Sequence, residues 1–398
     1  MKLTEKEQEM LSGKHGNAKK KSMYILNALG KIFGAERMIP VKTVQIAGVS
    51  YSNLGEAGLE YLSELAKDGK VEVPTTLNPA GMDRENWQSL GISPDFAEKQ
   101  NRVIDSFAKM GIQTTCTCTP YLIGNKPNKG DHIAWAESSA VTYANSVLGA
   151  YTNREGGPSA LASALTGVTP EYGLHLDENR KPDIHFKVDV DLKTLADFGA
   201  LGEFIGKNCE AKIPYVSGIS KATNDQLKTF SASVVTYGSE PLFHMEGITP
   251  EAGKFEAPSK TVKITQKEFD KAYSDLSGKG TEVDFVSIGC PHASLDELKK
   301  VAKLLEGKKV KAETWIATAR PTKEKAEKLG YIEKIENSGA KMACDTCMVV
   351  APLKGRFKTC ATTSAKASYY VRGKHGMLPR IGSLEECINA AITGEWKK

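Results

Sequence analysis

No apolar run in this sequence approaches the roughly 20 residues that a membrane-spanning helix needs, so no helical span across a bilayer is expected. Residues 1–11 are charged and helix-like, with no secretory apolar segment, and the expectation that follows is a cytoplasmic protein. There is no internal repeat and no low-complexity stretch, which excludes a repeat array. Charge of one sign is scarce too: 53 Lys and Arg stand against 48 Asp and Glu, a net +5 spread along the chain. The only local basic cluster, Lys19, Lys20 and Lys21, reads as a solvated helical face, so no nucleic-acid partner is expected. The mildly basic balance suits an anionic substrate. Finally, eight cysteines in 398 residues are too few and too dispersed for a disulfide framework.

What is present is a chain of 40% hydrophobic and 25% charged residues, large enough to bury a sizeable core in packed α/β subdomains. Thr4 and Glu7 form a capping box, and residues 19–33 carry apolar side chains at helical spacing. Residues 44–48 read as a buried strand ending in the loop residues Ser50, Tyr51, Ser52 and Asn53; a helix over 57–67 follows. Residues 71–73 read as a second strand, ending in the loop Thr75, Thr76, Leu77, Asn78. This alternation is the rhythm of a parallel sheet, which gathers ligands at the carboxyl ends of its strands.

Further on, a helix over 94–111 leads to a strand-like 113–117, and 135–149 and 189–207 are helical in composition. The glycines and prolines of 238–260 suggest a linker, placing the boundary between two portions, 1–250 and 251–398. In the second portion, 283–288 and 314–319 are strand-like. Between them Ser294 and Glu297 cap a helix with Leu295, Leu298, Val301, Leu304 and Leu305 on one face, ending at Gly307; Pro321 and Gly330 bracket the next helix. The result is a βαβα unit with parallel strands.

Cys209, Cys360 and Cys387 read as buried small hydrophobes. The other five share a different setting: Cys116 and Cys118 precede Pro120, Cys290 precedes Pro291, and Cys344 and Cys347 lie on an apolar run ending at Pro352. All would project from strand ends, and a thiol just ahead of a helix amino terminus is expected to ionise more readily. Four thiolates close a cluster for electron transfer, whereas three leave one iron open as a Lewis acid. On spacing alone, Cys344-x-x-Cys347 equally suits a zinc site or a redox dithiol, so a non-enzymatic metal or redox protein stays open.

The wording around these cysteines goes further. Cys118-Thr119-Pro120-Tyr121, Gly289-Cys290-Pro291-His292 and Asp345-Thr346-Cys347 resemble the cluster-binding segments of the aconitase X family. Gly48-Val49-Ser50-Tyr51 with Asn53 and Gly55, Pro74-Thr75-Thr76-Leu77-Asn78, Glu137-Ser138-Ser139-Ala140, the run from Asn145 to Ala150 and Thr152-Asn153-Arg154-Glu155-Gly156-Gly157 extend the resemblance over nearly the full length.

The resemblance implies an aconitase-like core of α/β/α subdomains, with largely parallel sheets around an iron-sulfur cluster held by Cys118, Cys290 and Cys347. The cluster would be 4Fe-4S, with 2Fe-2S as the alternative. It implies a hydro-lyase whose swivelling domain, carrying a catalytic serine, is absent from this chain and comes from a separate small subunit. Separate-subunit members dehydrate mevalonate 5-phosphate to trans-anhydromevalonate 5-phosphate in isoprenoid biosynthesis; fused members dehydrate cis-3-hydroxy-L-proline. The absent domain favours the first reaction.

Arg154 is the expected partner of the substrate carboxylate or phosphate, since a guanidinium offers either anion two parallel hydrogen bonds, with Gly156 and Gly157 letting backbone amides approach. As an ordinary surface residue it would instead pair with a carboxylate. Ser50, Tyr51, Asn53, Thr75, Thr76 and Asn78 are candidates to bond substrate oxygens, or else are caps and turns. Glu137, a catalytic candidate, and Asn145 and Ser146, candidates to bind substrate, lie on one helical stretch within reach of the site, or else face solvent. His292, beside Cys290, is the histidine expected to donate a hydrogen bond there or to protonate departing hydroxide.

Overall fold

The computed structural model describes residues 1–397. Three parallel sheets follow one another along the chain. The first has Val44–Ile46 between Thr75–Leu77 and Ala134–Trp135. The second runs in the order His244–Met245, Pro214–Ser217, Ile184–Val188, Thr261–Ile264. The third has Phe285–Ala293 at its centre, with Glu313–Thr318 and Lys341–Cys344 on one side and Thr359–Thr362 and Leu378–Ile381 on the other. An antiparallel pair, Met38–Pro40 with Val168–Pro170, closes the first portion. The mixed α/β class with largely parallel sheets is the one expected, and no swivelling domain is evident among the described residues. No described helix is long and apolar enough to cross a membrane.

Local signals explain much of this. Both capping boxes form, at Thr4 and at Ser294, where each side chain accepts an N–H of the first turn and the Glu three residues on returns the bond. The helix Leu295–Leu305 buries Leu298, Val301, Ala302 and Leu305 against the third sheet. Pro321 sits in the first turn of Arg320–Lys328, and Gly330 takes φ +72° after it. Lys19 and Lys21 pair with Glu72 and Glu64, as a solvated face would.

Four expectations need correction. The second strand is Thr75–Leu77, not 71–73, because Pro74 has no N–H to give the ladder and offers only its carbonyl, to Val44 N at 2.9 Å. Residues 113–117 make a single bridge, Thr76 to Gln113, rather than a strand, since Cys116 turns the chain with φ +44°. Ser50, Tyr51 and Asn53 belong to a helix start, with Ser50 at the cap of Tyr51–Leu65 and a kink at Gly55. The supposed linker 238–260 is packed: Leu242, Phe243 and Met245 are fully buried and His244–Met245 is a strand of the second sheet. Glycine and proline mark where regular structure stops, not where packing stops. The expected boundary at 250/251 falls inside that sheet, whose strand Thr261–Ile264 pairs with Ile184–Val188.

Candidate functional site

The loops that leave the carboxyl ends of the first and third sheets meet. Thr117 and Cys118 follow the first sheet; Cys290 and His292 lie in an irregular stretch of the third sheet's central strand, where the register shifts between Ile288 and Ala293. Gly289 permits that stretch: it takes φ +95°, and a Cβ there would lie 2.0 Å from the Ala317 carbonyl oxygen. Cys347 follows Lys341–Cys344, the edge strand of the same sheet.

His292 clasps the three loops. Its backbone N–H points at Cys118 Sγ, 3.2 Å away. Its Nε2 donates to the Thr346 carbonyl at 3.0 Å, and that obligate acceptor fixes the tautomer, leaving Nδ1 to accept the Thr117 hydroxyl at 2.9 Å. The ring is wholly buried, and burial pushes its pKa down to about 4, so it stays neutral. With both nitrogens engaged, the imidazole is placed to join loops and has no proton free for a leaving group.

Cys118, Cys290 and Cys347 are all buried, and Cys347 lies within electrostatic range of both others. The expectation of easily ionised thiols meets the opposite: burial holds all three above the ordinary thiol range, Cys290 up to about 12. Only a single 3-10 turn, Pro120–Leu122, follows Cys118, and no helix begins directly after Cys290. Lys366 and the His292 N–H ease Cys118, Lys366 and Ser364 ease Cys290, and the amides of Val349 and Val350 ease Cys347, but burial outweighs them all. Cys116 and Cys344 belong elsewhere, near Arg320, which pairs with Asp83 at 3.1 Å and with Asp345.

Two charged groups complete the chamber. Glu137 caps the helix Ser138–Tyr143, its Oε2 accepting Ala140 N–H and the Ser139 hydroxyl, each at 2.6 Å. Its Oε1 accepts Lys366 Nζ at 2.5 Å. Burial works against the carboxylate, but Lys366 and these bonds outweigh it and hold Glu137 below its usual range. Sequence reasoning missed Lys366; the available signal was a lone cation among small residues in Ser364-Ala365-Lys366-Ala367-Ser368.

The remaining candidates divide. Asn53 and Arg154 come together, with Gly48, Ala136 and Glu155, on a cavity of about 310 Å³. Both are exposed, and Arg154 has no ion pair among the described residues. Asn78 Oδ1 is buried without a partner, as is Thr346 Oγ1 beside Cys347. The other side chains are engaged within the protein. Ser50 Oγ donates to Val350 O at 3.3 Å, Tyr51 OH to Glu56, Thr75 to Val73 O and Thr76 to Val44 O. Asn145 uses its whole amide on Thr152, Pro241 O and Arg180; Ser146 Oγ accepts Phe243 N–H; Gly156 N–H donates to Ser159 Oγ.

The donor set suits a group that takes three thiolates and leaves a polar rim: three buried sulfurs, two partnerless polar atoms and one ammonium. No three His, Cys, Asp or Glu among the described residues are arranged to hold a single metal ion. A sulfide-bridged cluster spreads its thiolate ligands over several iron positions.

Three family models match in order along the chain: aconitase X first domain over residues 1–178, second domain over 182–274 and third domain over 283–393. A phosphomevalonate dehydratase large subunit from Methanosarcina mazei is 48% identical over 401 residues, covering 100% of this chain and 99% of that one. A cis-3-hydroxy-L-proline dehydratase from Pseudomonas aeruginosa is 34% identical over 405 residues, covering 98% of this chain and 69% of that one. The crystal structure of Thermococcus kodakaraensis aconitase X in its holo-form has a TM-score of 0.92 and 43% identity, covering 98% of this chain and 100% of that chain.

Proposed function

Since this chain belongs to the aconitase X family, we propose that it is the large subunit of a hydro-lyase that removes water from mevalonate 5-phosphate to give trans-anhydromevalonate 5-phosphate. The observation that carries the reading is the meeting of three buried thiols from three distant loops, clasped by His292 and accompanied by Lys366. The choice of substrate is supported by full-length likeness to the Methanosarcina relative; the hydroxyproline relative is less similar and longer.

Cys118, Cys290 and Cys347 are the ligands of an iron-sulfur cluster, 4Fe-4S or 2Fe-2S. When bound, it supplies an iron with a vacant position that polarises a substrate hydroxyl as a Lewis acid. This chain's residues do the rest of the holding. His292 fixes the loops that carry two of the thiols. Arg154 binds an anionic end of the substrate from the cavity mouth, with Asn53 beside it, and Asn78 offers an acceptor to a substrate hydroxyl. Glu137 is oriented by Lys366. The base that takes the carbon-bound proton is a serine on a small subunit carrying the swivelling domain. The setting is the reducing cytoplasm, where eight free, buried cysteines persist. A dithiol at Cys344 and Cys347 finds no support, because the two lie in different surroundings.

The test is to co-express the chain with its small subunit, reconstitute without oxygen, and assay mevalonate 5-phosphate against cis-3-hydroxy-L-proline. Turnover of the phosphate is expected. Turnover of only the amino acid would overturn the substrate, and a colourless, iron-free protein would overturn the cluster.

A further inference from the structure

Lys366 lies on the helix Ala365–Tyr370, almost entirely out of solvent. An ammonium has three protons to give. This one makes a single short bond, to Glu137, and a long contact of 3.4 Å with Ser139 Oγ. The helix cap already supplies Glu137 Oε2 with two donors at 2.6 Å, so Lys366 serves Oε1 alone. Burial should disfavour the cation, yet Glu137 holds it charged, and Cys290, which bonds Ser364 two residues from Lys366, lies within its electrostatic range together with Cys118. Joining two sheets requires no charge here, because a buried ion pair is often no more stabilising than apolar side chains of the same volume.

What does call for a cation is the company. Three thiolates gathered in a dry chamber repel one another, and a fixed positive charge beside two of them offsets that repulsion. We propose that Lys366 is an electrostatic positioning residue whose ammonium, anchored by Glu137, offsets the charge of the Cys118 and Cys290 thiolates and so sets the retention and reduction potential of the cluster they hold. The inference rests on the ligand assignment made under Proposed function. Net charge and hydrogen bonds near the sulfurs are among the features that set such potentials.

The experiment compares wild type, Lys366→Met, Lys366→Arg and Glu137→Gln, each with the small subunit and reconstituted without oxygen. Iron per chain, its loss to a chelator and the midpoint potential by spectroelectrochemistry are measured. Lys366→Met removes the bond and Glu137→Gln removes the charge from its acceptor, so each weakens the same contact and a merely structural role moves both variants the same way. The charge role moves them apart. The potential falls and iron is lost faster in Lys366→Met, the potential rises in Glu137→Gln, and Lys366→Arg stays near wild type. Shifts of equal sign, or none in Lys366→Met, overturn the inference. Should Lys366→Met fail to fold, a Glu137→Gln potential at or below wild type overturns it. Wild type that takes up no iron overturns this and the proposed function together. A wild-type cluster without turnover of mevalonate 5-phosphate overturns only the substrate, and the potentials still decide the role of Lys366.

Discussion

Two buried ion pairs in this molecule differ in how much of their hydrogen-bonding capacity they use. Arg180 and Glu251 sit 2.5 Å apart with side chains 1% and 3% exposed. Every guanidinium donor of Arg180 is taken, by Glu251, by Asn145 Oδ1, and by the carbonyls of Leu174, Asn145 and Ala150. Its flat face lies 4.1 Å from the Tyr151 ring centroid. Lys366 and Glu137 are nearly as buried, yet the ammonium has capacity left over beside two thiols. A pair that uses every donor internally joins parts of the scaffold. A pair with donor capacity left over beside two thiols is the one for which a further role is proposed. The same contrast places Asn145, which faces Arg180 rather than the thiols.

The comparison breaks first at Arg180. Arg180→Met leaves several carbonyls and Glu251 Oε2 without their donor, with only Oε1 still held by Lys254, so a loss of about 3 kcal/mol is expected. A thermal melt reads it as the largest fall in the series, while the reconstituted absorbance per folded chain stays that of wild type. A change in that absorbance would mean the Arg180 pair is not scaffold alone. His292→Ala comes next. It leaves the Thr346 carbonyl without its side-chain partner, at about 1–3 kcal/mol, and the Thr117 hydroxyl with Thr119 alone. Here iron content should fall along with the melting temperature, because the loops of Cys118 and Cys347 lose their clasp. Full iron loading in His292→Ala would sink that role.

Much of this contrast was out of reach of the sequence. Capping boxes, the apolar face of Leu295–Leu305 and the parallel rhythm are local signals, and each has its counterpart in the structure. That Cys118, Cys290 and Cys347 share one chamber depended on wording that resembles a family, since no spacing rule relates loops more than fifty residues apart. Burial was the harder property. Thr75 and Thr76 looked like free hydroxyls in a loop, but Pro74 shifts the strand onto them and their hydroxyls bond backbone carbonyls. Lys366 escaped notice because its partner, Glu137, lies 229 residues away.

A smaller effect, dependent on pH, sharpens the contrast with Glu137. Glu155 is as buried as Glu137 but has no cation; Ser159 donates to one oxygen and the other has no partner. Burial pushes its pKa up from 4.5 to about 7, whereas Lys366 keeps Glu137 low. The folded state therefore holds the Glu155 proton more tightly than the unfolded state does. Its contribution to stability is fully present below about pH 4.5 and is lost as pH rises through about 7. Glu155→Gln should melt like wild type at the acid end and above it at pH 8. Parallel melting curves for the two proteins across that range would refute the assignment.

The smallest expected effect on stability belongs to Arg154, and that is its interest. Exposed and without an ion pair among the described residues, it contributes little to the fold, so Arg154→Ala should melt within about 0.5 kcal/mol of wild type. If it binds the substrate's anionic end, the lost charged hydrogen bonds raise KM by about tenfold or more. Arg154→Lys keeps the charge but not the fork, and should recover only part of the difference. Arg180→Met and Arg154→Ala then form opposite corners of one scheme: a buried arginine whose removal costs stability and not affinity, and an exposed one whose removal costs affinity and not stability. An unchanged KM in Arg154→Ala would move the anion site away from the 310 Å³ cavity that Arg154 shares with Asn53. Glu155, on the same cavity wall, would then be buried for the sake of the helix start at Gly157 alone.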